Sequence, residues 1–173
     1  MAAVLVCLFL SGFAVSTAKA STPYERESLR DLPGVVLHSI NFTSTPTNLE
    51  DELPLAELRS EVKLAMRKAG IPLIDYESHA SSVVVPHLQI QGAVSQIAAN
   101  FYAYTIVIEL HQEAALLRKT GQRSLMVTWS EGSLSTGDIQ HFRDRLLLLA
   151  HFFIRDFESV NSRSSQVWPL SLE

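Results

Sequence analysis

Six histidines, His38, His79, His87, His111, His141 and His151, are the residues best suited to chemistry in this chain. An imidazole can ligate a metal or move a proton near neutral pH. A metal centre needs several of them to converge with carboxylates, and no H-x-x-x-H or H-E-x-x-H spacing gathers them on one helix. Glu109 and His111 are two apart, so they share one face of a strand. A neighbouring strand could bring His87 beside them and make a hydrolase or metal-dependent site on an open sheet face. The competing explanation is a solvated polar face, which antiparallel sheets commonly present to water. Without a ligand motif, that explanation is favoured, and no metal ligand is assigned. His141 and His151 fall away from the apolar stripe of their helix and are expected in solvent.

Other chemistries find less. No Ser sits in G-x-S-x-G, so the elbow that exposes a serine nucleophile is missing. Asp75 and Glu77 could be an acid pair, but two loop carboxylates are more commonly turn residues. No G-x-G-x-x-G or P-loop is present to cradle phosphate, and no cofactor is expected. Tyr102 and Tyr104 could stack on a base or a sugar. They lie in step with Ile106, Ile108 and Leu110, so they are expected as core aromatics whose hydroxyls reach the edge. No catalytic residue is therefore assigned, and a non-enzymatic chain is expected.

Composition supports that direction. The 173 residues are 47% hydrophobic and 18% charged, which suits one domain with a real core and rules out a disordered chain. A net charge of −4 leaves no basic footprint for nucleic acid.

Residues 1–20 read as a secretory signal: an apolar run from Ala2 followed by Ala18-Lys19-Ala20, an A-x-A cleavage pattern. The run lacks a preceding Lys or Arg and is shorter than a membrane span. The expected location is the periplasm or the extracellular space, with no membrane span after cleavage. Cys7, the single cysteine, would leave with the signal, so the mature chain has no disulfide and no thiol nucleophile. Asn41-Phe42-Thr43 is a glycosylation sequon, relevant only in a eukaryotic secretory pathway.

After the signal, 21–33 is polar and expected as a flexible lead-in. Residues 34–161 are expected as a single domain and 162–173 as a C-terminal tail. Residues 34–42 are rich in β-branched and aromatic types and predict a strand. Leu55, Leu58, Val62, Met66 and Ala69 recur at helical spacing between Pro54 and Gly70. Strands are predicted at 71–76, 83–94, 101–111 (continuing through 114–118) and around 125–129. A long helix is predicted from about Ser135, with Asp138 three residues on in a capping-box arrangement, to about Asn161. The order β-α-β-β-β-β-α predicts an α+β fold: one antiparallel-rich mixed sheet with two helices packed on one face.

One apolar feature exceeds what such a fold needs. Leu148 and Phe152 are one turn apart on the long helix, opposite Leu146 and Phe153. Either the tail around Val167-Trp168-Pro169-Leu170 covers them or they face a partner, and they are the candidate partner-binding residues.

The layout of strand, helix ending in Ala69-Gly70-Ile71-Pro72, the strand around Val83–Ile90, the Tyr104–Leu110 strand and a long closing helix resembles small bacterial envelope modules. It is similar to LptE-like lipopolysaccharide-assembly lipoproteins and to the TolB N-terminal module. That resemblance implies two helices on one sheet and binding of partner proteins or glycolipid without catalysis. Those lipoproteins carry a lipidated Cys after the signal, which this chain lacks, and no functional residue is carried over. The expectation is an exported, non-catalytic binding or assembly module of the cell envelope, with an envelope protein or glycolipid as partner. The alternatives are a small-ligand carrier and an enzyme on the open sheet face.

Overall fold

The structure is a computed structural model that describes residues 21–45, 53–75, 85–116, 118 and 121–162. The expected signal (1–20), Glu77, His79 and the tail beyond Ser162 lie outside the described residues. In chain order the elements are α1 (Pro23–Glu27), β1 (Val36–Thr45), α2 (Leu55–Lys68), β2 (His87–Ala98), β3 (Phe101–Ala115), β4 (Arg123–Gly137) and α3 (Ile139–Asn161).

The sheet grows outward from β3. Its apolar residues at every second position, Tyr102, Tyr104, Ile106, Ile108 and Leu110, are all buried, as period-two alternation demands. The β2–β3 hairpin pairs His87 with His111 and turns at Asn100, whose φ of 55° suits an asparagine. β4 pairs antiparallel to β3, from Tyr102 opposite Gly137 to Ala115 opposite Arg123. β1 joins β2 in parallel, and a parallel neighbour requires a crossover, which α2 supplies. The order is β1-β2-β3-β4, and the fold is α+β, a mixed, antiparallel-rich sheet. α2 and α3 pack on one face.

Local chemistry sets the helix ends. Gly70 takes φ 74° after α2; its N–H bonds Arg67 O and that of Ile71 bonds Met66 O. This is the left-handed stop that a glycine makes without strain. The core between the layers holds Leu58, Val62 and Met66 from α2 and Phe142, Leu146, Leu149 and Phe153 from α3, with Trp129 from β4. Phe42 packs edge-on against Phe142 with ring centroids 5.0 Å apart. Gly92 permits that fit, because a Cβ there would lie 2.9 Å from the Phe42 ring and 1.9 Å from Thr105 O.

Three expectations are corrected. The strand expected at 71–76 contributes only an isolated parallel bridge, Val35 to Leu73, within the described part. Pro72 has no N–H to extend a ladder and only accepts, from Val35 N–H. The long helix starts at Ile139, not near Ser135, because Ser133 to Gly137 are held in register with Ile106 to Tyr102. Asp138 is its N-cap, accepting from His141 N–H at 2.8 Å. Residues 21–33, expected as a flexible lead-in, instead carry α1. Thr22 and Glu25 close a capping box there, and Leu29 is fully buried in the core.

Candidate functional site

Three surfaces emerge from this scaffold. The first is the sheet face away from the helices. Alternation puts Ser39, Asn41 and Thr43 of β1, Gln89 and Gln91 of β2, Thr105, Val107, Glu109 and His111 of β3, and Leu125, Val127, Ser130, Gly132 and Leu134 of β4 on this side. Its polar half is a chain of side-chain bonds. Gln89 Nε2 donates to Gln91 Oε1 at 3.1 Å and Gln91 Nε2 donates to Glu109 Oε2 at 3.2 Å. His111 Nε2 lies 3.3 Å from that same oxygen. His87 stands opposite His111, and the His38 ring meets the His87 ring edge-on at 5.7 Å. The structure thus brings Glu109, His111 and His87 together and adds His38 through a bulge in β1 between Leu37 and Ser39. Among the described residues no group of three His, Cys, Asp or Glu could hold a metal ion.

Burial pushes the His38 pKa below the usual histidine range, and the neighbouring His87, Arg59 and His111 add to the effect. The unfolded chain then takes up the proton more readily than the fold. Stability is expected to fall as pH drops through about 6.5, the ordinary histidine value. Thermal midpoints recorded from pH 8 to pH 5 check this, and His38→Gln is expected to flatten the decline.

The apolar half of this face lies on β4. Leu125 and Val127 are each 46% exposed and Leu134 is 66% exposed. β4 is also an edge strand, with β3 on one side and no strand on the other among the described residues. Sheet edges are usually guarded by Lys, Pro or inward-pointing charges. From Ser124 to Gly137 this edge has no Lys, Arg or Pro; its one guarding charge, Glu131, points inward opposite Ile108, and the open face of the strand carries no charge.

The second surface is a cleft of about 380 Å³ between α2 and the start of β1. It is lined by Leu37, Arg59, Lys63, Arg67, Leu73, Ile74 and Asp75. The third is the outer side of α3. There Leu148 is 41% exposed, while Phe152 is half-buried beneath the Arg155 guanidinium, 5.0 Å from its ring centroid. The expected apolar pair is therefore narrower than its sequence suggests, and its proposed cover, the tail, is outside the described residues.

The remaining candidates disperse. Tyr102 and Tyr104 are core residues, and Tyr104 Oη reaches the edge 3.1 Å from His141 Nδ1. Burial raises the Tyr104 pKa, partly offset by a hydrogen bond with Ser135. His141 and His151 are exposed, and His151 Nδ1 bonds Leu147 O at 2.8 Å. Asp75 lies on the rim of the α2 cleft.

Sequence reasoning missed two features. The β4 edge is legible in the sequence only as an absence of Lys, Arg and Pro over fourteen residues, of which the alternating pattern marks only 125–129 as strand. The cation row Arg59, Lys63, Arg67 is visible in the sequence as i, i+4, i+8 spacing along α2. No protein-family model, curated protein or solved structure matches the chain.

Proposed function

We propose that this chain is an exported, non-catalytic binding or assembly module of the bacterial cell envelope, and that it engages a protein partner along β4. The observation that carries the proposal is the long edge strand with no Lys, Arg or Pro from Ser124 to Gly137, flanked by exposed Leu125, Val127 and Leu134. An extended partner segment can add to such an edge through main-chain hydrogen bonds, with apolar side chains at alternate positions giving specificity. Where the register of β4 with β3 shifts between Leu110 and His111, Thr128 O is already taken by Ser28 Oγ at 3.1 Å, so pairing is expected mainly along Ser130–Thr136.

The carrier alternative asks for an apolar cavity beneath α3, where the rings of Trp129, Tyr102, Tyr104, Phe142 and Phe153 pack instead. The enzyme alternative asks for a deep pocket around Glu109, whose carboxylate is engaged by Gln91 and His111 on an open face. The exposed Leu148 favours a second contact surface on α3, with Phe152 beside it.

Affinity capture of the tagged protein from envelope fractions tests the proposal. Val127→Asp with Leu134→Asp is expected to keep the denaturation midpoint, since both residues are exposed, and to lose the partner recovered by the parent chain. Retention of that partner by this variant, and its loss with Leu148→Asp and Phe152→Ser, would move the interface to α3.

A further inference from the structure

α2 separates its charges to opposite flanks. Leu58, Val62 and Met66 face the core; Glu57 and Glu61 lie on one side of that stripe, and Arg59, Lys63 and Arg67 on the other. The acidic flank turns toward α3, where Arg143 bonds Glu61 at 2.5 Å. The cationic flank turns toward the start of β1 and forms one wall of the cleft of about 380 Å³.

That wall is costly as helix design. Arg59–Lys63 and Lys63–Arg67 are both like-charge i, i+4 pairs, which destabilise a helix. Arg67 in the last turn can favour the helix dipole, but Arg59 is in the N-terminal half, where a cation gains nothing from it. Among the described residues no carboxylate forms an ion pair with Lys63 or Arg67. Arg59 is held in place rather than neutralised, donating to Leu37 O at 3.0 Å. Successive cations rise about 6 Å along the helix, so the three span about 12 Å. Opposite them are Leu37, Leu73 and Ile74, with Asp75 as the one acid lining the cleft among the described residues. Among the described residues, three cations against one acid form a local positive site on a chain of net charge −4.

We propose that this cleft binds a compact anion carrying at least two negative charges, of the phosphate-ester or pyrophosphate class, with Lys63 and Arg67 as its principal ligands and Arg59 as a fixed third charge. The volume fits a small-molecule headgroup, and the apolar side accepts a short uncharged portion beside the phosphate. Arg is suited to bidentate phosphate contacts and Lys to a point charge. This site is separate from the β4 edge and does not depend on the function proposed for that edge.

The test uses the full mature chain and Lys63→Gln with Arg67→Gln, both outside the core. Inorganic pyrophosphate and glycerol phosphate are titrated with amide chemical shifts as the readout. In parallel, the protein is sedimented with phosphatidylcholine vesicles with or without phosphatidic acid. Saturable binding of a soluble probe, with shifts at residues 59–67 and 73–75 and at least about tenfold weakening in the variant, supports a free phosphate compound as ligand. Binding only to the phosphatidic-acid vesicles, lost in the variant, supports a lipid headgroup. The proposal is overturned if neither probe class binds, if neutral vesicles bind equally well, or if a variant of unchanged thermal midpoint binds as the parent does.

Discussion

Replacing Asp156 with alanine is expected to destabilise the fold by about 3–5 kcal/mol, because it breaks a buried ionic and hydrogen-bonded cluster from one side. The carboxylate is 2% exposed on the core side of α3. Oδ2 accepts from Trp129 Nε1 at 3.1 Å and from Ser21 Oγ, and Oδ1 accepts from Arg155 at 2.9 Å. Removing it leaves the indole N–H of a fully buried Trp129 without its acceptor and frees the stretch before α1 from α3. Burial pushes this carboxyl up, but the bonds from Ser21, Trp129 and Arg155, with the Arg155 charge, outweigh it and hold its pKa below the usual value. A depressed carboxylate contributes stability above its unfolded pKa of about 4, and that contribution is lost as pH falls through the folded value. Urea midpoints at pH 7 and pH 3 check both parts: the gap between parent and Asp156→Ala is expected to narrow in acid.

Ile106→Ala is expected to cost about 2–5 kcal/mol through lost burial and the cavity left beneath the helices. Ile106 is fully buried at the centre of β3, between the pairings to Gly92 and Ser133. Thr105→Ala, one residue away on the open face, is expected to cost only about 1 kcal/mol, because its Oγ1 accepts from Ala93 N–H at 3.0 Å but its methyl packs against no helix. Equal shifts in the two urea midpoints would reverse the assignment of sheet faces.

The strand faces and the α2 core stripe were legible because both follow from strict periodicity: two for Tyr102 to Leu110, and 3.6 for Leu58, Val62 and Met66. The C-terminal half of β4 was not. Gly132-Ser133-Leu134-Ser135-Thr136-Gly137 has small, polar residues that read as a turn or helix cap, and only pairing with β3 makes it a strand. α1 was missed for a related reason: five residues carry no amphipathic repeat, and the stretch is held by Leu29 in the core and Ser21 on Asp156. Asp156 itself left a sequence trace. It lies seven residues after Leu149 and fourteen after Phe142, an acid in a core position of the helix. Of the candidate sites, the neighbourhood of Glu109, His111 and His87 could be anticipated from strand alternation. The α2 cleft could not, since it depends on the Val35–Leu73 bridge bringing 71–75 beside β1.

Site-specific photo-crosslinking in cells tests partner binding along β4 most directly. A photoreactive residue is placed in turn at Val127 and Leu134 on the β4 face, at Leu148 on α3, and at the exposed controls Tyr24 and Leu64. The expected result is one protein adduct shared by positions 127 and 134 and missing at 24 and 64. Adducts confined to 148, adducts as frequent at 64 as at 127, or no adduct at either β4 position would contradict an interface on this edge.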